Sequence, residues 1–147
     1  MTGTIEEVLR HKSGELYTIS PDATVFDAIQ QMADKNIGAL LVMAGSDLIG
    51  VISERDYTRK VALKGKSSRD TRVQEILSTP VIAVTPHHTV EECMRLMTVN
   101  RVRHLPIMRG NEVIGIVSIG DLVNSIISAQ SVTITQLESY ITGQYPG

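Results

Sequence analysis

The sequence has almost no aromatic residues: its 147 residues include one Phe, four Tyr and no Trp. A hydrophobic core must therefore consist of aliphatic side chains and methionine, which the 42% hydrophobic content supplies. The single cysteine, Cys93, excludes an internal disulfide and is compatible with a reducing compartment. A net charge of only -2 gives no overall field that would favour nucleic acid or an anionic membrane surface.

The chain also lacks a long apolar segment. No run reaches the roughly 18 consecutive apolar residues that a membrane span requires. The N-terminus carries Glu6 and Glu7 and has no apolar core of the kind found in signal peptides. We therefore expect a cytoplasmic protein whose partners include neither a membrane nor nucleic acid.

One stretch of seven residues occurs twice. Residues 50–56 read Gly-Val-Ile-Ser-Glu-Arg-Asp, and residues 115–121 read Gly-Ile-Val-Ser-Ile-Gly-Asp. The β-branched pair is typical of a buried strand, and Ser followed three residues later by Asp is typical of a helix start. Each copy therefore predicts a strand that leads directly into a helix. A helix start has unpaired N–H groups and a partial positive charge, so it can bind an anion such as phosphate.

The repetition extends well beyond this stretch. Residues 21–56 align with residues 86–121 without a gap, and eleven of the 36 aligned pairs are identical. Both copies contain a Thr followed three residues later by an acid, and then apolar residues with helical spacing. Ile29 and Met94 occupy equivalent places in these apolar stripes, so we expect both to be buried.

Each half of the chain predicts the element order β-α-β-β-α. Because a half of this size cannot bury a complete core alone, we expect an α+β fold in which both halves pack about a pseudo-two-fold axis. Residues 64–72 are polar, basic and rich in Ser, which is typical of a linker. We predict a first repeat with its N-terminal segment and linker over residues 1–72, a second repeat over 73–130, and a C-terminal tail over 131–147.

The repeated motifs resemble the cystathionine-β-synthase-type (CBS) domain, and the chain resembles a free-standing pair of such domains. The matching segments are residues 20–28, 37–42 and 50–56 in the first half, and residues 86–90, 103–107 and 115–121 in the second half. The resemblance implies a sensor or regulator that binds AMP, ADP, ATP, NAD or an S-adenosyl compound, or that binds no ligand. It also implies a homodimer that acts on an unknown protein target.

The resemblance also implies which residues bind the ligand, in a cleft between the two repeats. By this resemblance, Asp56 and Asp121 bind ribose hydroxyls, and Ser53 and Ser118, with the helix starts, hold phosphate. The residues implied around adenine are Ile37, Gly38, Ala39, Val102, Arg103 and His104. Further residues expected at the border of the sites are Ser78, Thr79 and Pro80, and residues 12–14.

The basic residues of the two sites differ. Arg55 lies inside the first motif where the second has Gly120, and Arg103 and His104 have no basic equivalents in the first half. Because a guanidinium can hold a phosphate with paired donors, we expect the two sites to prefer different numbers of phosphates. Each Arg can instead be a solvated surface charge, and His104 a histidine at the edge of the core. Each Ser-x-x-Asp can be a helix cap that binds no ligand.

The sequence contains no residue pattern that indicates catalysis. We find no Ser-His-Asp, Cys-His or paired-carboxylate arrangement, and His87 and His88 lack the spacing and partners of a metal site. We therefore predict a module that is not an enzyme and holds no metal. Two alternatives remain, which are a ligand-free interaction or oligomerisation module and a nucleotide hydrolase.

Overall fold

The chain has the predicted α+β composition in a computed structural model that describes residues 3–12, 14–77 and 81–129. The first elements are α1 (Ile5–Arg10), β1 (Thr18–Ile19), α2 (Val25–Lys35), β2 (Ala39–Ala44), β3 (Asp47–Ser53) and α3 (Glu54–Tyr57). A π-helical segment (Thr58–Ala62) continues α3, and a 3-10 turn (Val73–Glu75) precedes the second half. The second half contains α4 (Val90–Asn100), β4 (His104–Arg109), β5 (Glu112–Ser118) and α5 over residues 119–129.

The strands form two small sheets, with the order β1-β2-β3 in one and β4-β5 in the other. β1 pairs with β2 in parallel orientation, and β2 pairs with β3 in antiparallel orientation. The register places Ala39 opposite Ser53, so α3 begins next to the first residue of β2. Tight turns connect the paired strands at Gly45 and Gly110, where φ is 64° and 63° and glycine is favoured.

The first strand predicted for the second repeat is reduced to a single parallel bridge between Val84 and Ile107. In the first half, the N–H of Leu41 donates to the carbonyl of Tyr17 at 3.2 Å and extends the pairing of β1 with β2. The residue equivalent to Leu41 in the second half is Pro106, which has no N–H to donate. The proline therefore shortens this strand.

The buried positions of the two halves follow the alignment of the repeats. The first half buries Ile19, Val25, Ala28, Met32, Leu40, Val42 and Ile52, and the second buries the equivalent Val84, Val90, Cys93, Met97, Leu105, Ile107 and Val117. Ile29 and Met94 are only partly buried, because each lies at the margin of its apolar stripe, so full burial of these two residues was a wrong prediction. Among the described residues, no helix combines the length and the hydropathy needed to cross a membrane.

The segment in front of the first repeat binds to the start of α4. The N–H of Ile5 donates to the carbonyl of His88 at 2.8 Å, and the N–H of Val90 donates to the carbonyl of Gly3 at 3.0 Å. The Ile5 side chain is completely buried. The N-terminal segment therefore provides an acceptor for a first-turn N–H of α4, which has no partner inside the helix.

The linker binds to the start of α2 in the same way. The N–H of Val25 donates to the carbonyl of Thr71 at 2.8 Å, and the N–H of Val73 donates to the carbonyl of Ala23 at 2.9 Å. Thr71 and Val73 are both buried. The described residues form two compact units, one of residues 3–12, 85–105 and 117–129 and the other of residues 14–77, 81–84 and 106–116. The end of the polar segment predicted as a linker is therefore part of the second of these units, which also contains α2.

Candidate functional site

The first repeated motif ends β3 and begins α3. The N–H of Asp56 donates to Ser53 Oγ at 3.2 Å, and Asp56 Oδ2 accepts the N–H of Ser53 at 2.9 Å. The N–H of Glu54 donates to the carbonyl of Gly38 at 3.1 Å. The reciprocal bonds between Ser53 and Asp56 form a capping box, so the Ser-x-x-Asp pattern is a helix cap, whatever further role it has.

The second motif repeats this geometry at the start of α5. The N–H of Ser118 donates to Asp121 Oδ2 at 2.8 Å, and the N–H of Asp121 donates to Ser118 Oγ at 3.1 Å. The N–H of Ile119 donates to the carbonyl of Arg103 at 2.9 Å. The N–H groups of the serine, of the residue after it and of the aspartate therefore have equivalent acceptors in the two motifs.

The motifs differ at the residue that precedes the aspartate. This residue is Arg55 in α3 and Gly120 in α5. The nearest atom that a Cβ on Gly120 would meet is Ser118 Oγ at 3.6 Å, an ordinary contact, so packing does not require glycine there. An anion at either helix start would meet the N–H group of this residue, with an arginine side chain on the same residue only in the first motif.

Both carboxylates also pair with a lysine. Lys60 Nζ lies 3.1 Å from Asp56 Oδ1 and donates to the carbonyl of Ile76 at 2.9 Å. Lys12 Nζ lies 2.5 Å from Asp121 Oδ2. Sequence reasoning did not identify either pair. The i,i+4 spacing of Asp56 and Lys60 was an available signal, whereas Lys12 and Asp121 are 109 positions apart and give no local signal.

The lysine affects the ionisation of Asp121. Burial raises the pKa of Asp121, but the hydrogen bonds from Lys12 and Ser118 and the charge of Lys12 outweigh burial, so the pKa is lower than usual. The carboxyl group is therefore ionised at neutral pH and acts as a hydrogen-bond acceptor. The Asp121 side chain is 24% exposed and that of Lys12 is 28% exposed, so a ligand can reach both.

The residues expected around adenine lie beside the two helix starts. Residues 37–39 lead into β2 in the unit that contains Ser53 and Asp56, and residues 102–104 lead into β4 in the unit that contains Ser118 and Asp121. Ala39 is buried, Arg103 is exposed, and Ile37, Gly38, Val102 and His104 are partly buried. The expected border residues Ser78, Thr79 and Pro80 lie outside the described residues, as does Ser13.

A pocket of about 460 Å³ lies beside Asp121 and is lined by residues of α1, of the segment that follows α1, and of α5. Its lining residues are Glu7, Val8, His11, Lys12, Asp121, Asn124, Ser125 and Ser128. Most of these side chains can donate or accept hydrogen bonds, which suits a polar ligand. Within the described part of the chain, no group of three or more His, Cys, Asp or Glu side chains could hold a metal ion.

The family model, the related sequences and the solved structures that match this chain all point to the same family. The model of the CBS domain matches residues 5–63 and 73–128. The mitochondrial CBS domain-containing protein CBSX3 of Arabidopsis thaliana is 38% identical, with 97% of this chain and 73% of that protein covered. The solved structure of a CBS-domain protein from Burkholderia ambifaria shares 48% identity and a TM-score of 0.83, covering 86% of this chain and 96% of that chain. The hexameric CBS-CP12 protein of bloom-forming cyanobacteria shares 32% identity and a TM-score of 0.75, with coverage of 84% and 71%.

The two matched segments and the similarity to these proteins define the class as a pair of CBS domains. The chain belongs to the CBS-domain family, and the predicted family and fold class are confirmed. Pairs of CBS domains are in general regulatory or sensor modules that bind adenosine ligands.

Proposed function

We propose that this protein is a regulatory module that binds an adenosine nucleotide of the AMP, ADP, ATP or NAD class and is not an enzyme. The observation that supports the proposal most directly is the equivalent placement of Asp56 and Asp121, each beside a capped helix start. A carboxylate can accept hydrogen bonds from two adjacent ribose hydroxyls at once. The neighbouring N–H groups of Arg55 and Gly120 suit phosphate.

To bind phosphate in the proposed complexes, a serine hydroxyl that now donates to the aspartate of its own motif must donate to the phosphate instead. The Ser53 hydroxyl donates to Asp56 Oδ2 at 3.0 Å, so it must rotate before it can donate to a phosphate. This rotation also frees the carboxylate oxygen for a ribose hydroxyl. The remaining residues of the proposed sites are Ile37, Gly38, Ala39, Thr79, Val102, Arg103, His104 and Ser118.

Calorimetric titration with AMP, ADP, ATP, NAD and S-adenosylmethionine tests this proposal. We expect at least one of these ligands to bind the wild type, and Asp56→Asn and Asp121→Asn each to weaken binding. Asp47→Asn removes an exposed carboxylate at the first residue of β3 and serves as the matched control. A ligand at about 100 times its dissociation constant should stabilise the fold by about 2.7 kcal/mol.

The same samples separate the two alternative functions. If no adenosine compound binds at millimolar concentration, the chain is a ligand-free interaction module and the sensor proposal is wrong. Release of phosphate from ATP, abolished in the Asp variants, would instead support a nucleotide hydrolase.

We further propose that the protein acts in the cytoplasm as a homodimer that regulates another protein. An apolar stripe of α5 supports the homodimer: Ile119, Val123 and Ile127 follow one another at four-residue intervals and are 37%, 39% and 54% exposed. In a two-fold dimer such a stripe can pack against the same stripe of the second copy. The equivalent residues of the first half are Glu54, Thr58 and Ala62, which offer no comparable apolar surface.

A further inference from the structure

Lys12 reaches the Asp121 carboxylate from a distant part of the sequence. The two residues are 109 positions apart, and Lys12 Nζ lies 2.5 Å from Asp121 Oδ2. Backbone bonds fix the segment that carries Lys12, because the N–H of Glu6 donates to the carbonyl of Pro86 at 3.0 Å. The Ile5 side chain is completely buried in the same unit. The folding of α1 onto this unit therefore brings Lys12 to the carboxylate.

The equivalent carboxylate of the first half receives a lysine from its own helical segment. Lys60 follows Asp56 by four residues and also donates to the carbonyl of Ile76 at 2.9 Å. The position equivalent to Lys60 in α5 is Ser125. Two unrelated positions in the sequence thus place an ammonium group on equivalent carboxylates. The second lysine differs because the N-terminal segment, not the helix of the motif, supplies it.

Lys12 is also part of the wall of the 460 Å³ pocket beside Asp121. His11, Asn124 and Ser125 contribute further polar groups to this wall. An ammonium group has three donors on a flexible stem, so it can stay on a carboxylate and donate to a second acceptor. A phosphate that enters the pocket would find in Lys12 a cation that is already positioned.

From these contacts we infer that Lys12 determines the preference of the Asp121 site for phosphorylated ligands over the bare nucleoside. The inference rests on the proposed function, because it requires a ligand whose ribose contacts Asp121. Lys12 then bridges the carboxylate and the phosphate, and supplies the side-chain cation that Arg55 offers in the first motif and Gly120 lacks. Adenosine has no phosphate, so it gains nothing from Lys12 and competes with it for the carboxylate.

The test compares AMP and adenosine by calorimetry on the wild type, Lys12→Met and Lys12→Arg. We expect Lys12→Met to weaken AMP binding at the affected site about tenfold to hundredfold, the size of one charge-assisted hydrogen bond. Adenosine should bind Lys12→Met at least as tightly as it binds the wild type. Lys12→Arg should retain most of the preference for AMP. Lys64→Met removes an exposed lysine of the linker and controls for the change in net charge.

A double-mutant cycle assigns the effect to Asp121. In the Asp121→Asn background, Lys12→Met should cost less AMP affinity than it costs in the wild type, because Asp121 no longer holds the ammonium group in place, whereas equal losses would contradict the inference. Thermal unfolding without ligand checks that each variant is folded. If Lys12→Met does not fold, Lys12→Gln provides the same comparison without the charge.

Two results would overturn the inference while the proposed function stands. One is an unchanged affinity of Lys12→Met for AMP, and the other is an equal loss for AMP and adenosine, which a merely structural role would cause. If the wild type binds neither AMP nor adenosine at millimolar concentration, the inference fails, and the proposed function fails with it only if ADP, ATP and NAD do not bind either.

Discussion

Ile5 and Val73 are structurally equivalent residues of the two halves. Both side chains are completely buried, and both N–H groups donate to the residue that precedes a helix N-cap, His88 for Ile5 and Ala23 for Val73. The gap-free alignment of the repeats pairs the two acceptors with each other, but it pairs Ile5 with Asp70. Each repeat thus includes a leading segment that this alignment leaves out.

The burial of Ile5 predicts that the N-terminal segment contributes to stability. We expect Ile5→Ala to lower the free energy of unfolding by about 2–5 kcal/mol, because it leaves a cavity in a packed core. The control is Leu63→Ala, since Leu63 is 77% exposed and a surface change of this kind has an effect within about 0.5 kcal/mol. Urea denaturation measures both variants, and an equal midpoint for Ile5→Ala and wild type would show that the segment does not stabilise the fold.

The lowered pKa of Asp121 predicts a pH-dependent contribution to stability. The folded state favours the ionised carboxyl group, so the stabilisation is present above the pKa of an unfolded Asp, about 3.9. It is lost as the pH falls through the lower pKa of the folded state. We therefore expect wild type to melt above Asp121→Asn at neutral pH, and the difference to shrink below about pH 4. Melting curves from pH 7 to pH 3 test this, and a difference that does not vary with pH would contradict it.

The ends of α2 and α4 predict a stabilising substitution. Asn36 and Arg101 follow these helices with φ of 54° and 55°, a left-handed conformation. Asn adopts it more readily than Arg, because its short polar side chain can bond locally. Arg101→Asn should therefore stabilise the fold by up to about 1 kcal/mol, and Asn36→Arg should destabilise it. A lower melting temperature for Arg101→Asn would mean that the contacts of the Arg101 side chain outweigh the backbone term.

The apolar stripe of α5 predicts how the oligomer is disrupted. A charge at the centre of an apolar contact must be desolvated, so Val123→Glu should convert the proposed dimer to a monomer. Leu63→Glu is the matched control, because Leu63 is exposed but lies outside the stripe. Light scattering after size-exclusion chromatography measures the mass. A monomeric wild type, or a dimer that tolerates Val123→Glu, would exclude this interface.

The sequence predicted the elements that local residue patterns determine. The Thr-x-x-acid starts of α2 and α4 are helix caps, with Asp27 and Glu92 N–H groups bonded to Thr24 and Thr89. Both Ser-x-x-Asp motifs join a strand to a helix, as predicted. These features depend on side chains within three residues of one another, so a single sequence contains the whole signal.

The features that the sequence did not predict depend on distant contacts or on a second alignment. Residues 5–9 read Ile-Glu-Glu-Val-Leu and residues 73–77 read Val-Gln-Glu-Ile-Leu. The sequence contains this similarity, but it appears only when residue 5 is aligned with residue 73, and the gap-free alignment of the repeats pairs residue 5 with residue 70. The strand shortened by Pro106 shows how one missing N–H changes an otherwise repeated pattern. The contact of Lys12 with Asp121 joins residues that no local pattern relates, so only the folded chain reveals it.

The contact of the N-terminal segment with residues near the start of α4 has a consequence for the order in which parts of the chain can fold during translation. His88, which accepts the N–H of Ile5, lies 83 positions after Ile5, so Ile5 is synthesised well before its acceptor. At a synthesis rate of about 5–20 residues per second, this interval lasts roughly 4–17 s. Among the described residues, the buried members of the hydrophobic cluster that includes Val25, Val61 and Val73 all lie between positions 19 and 76. That cluster can therefore begin to form during translation while the N–H of Ile5 still lacks its acceptor on His88.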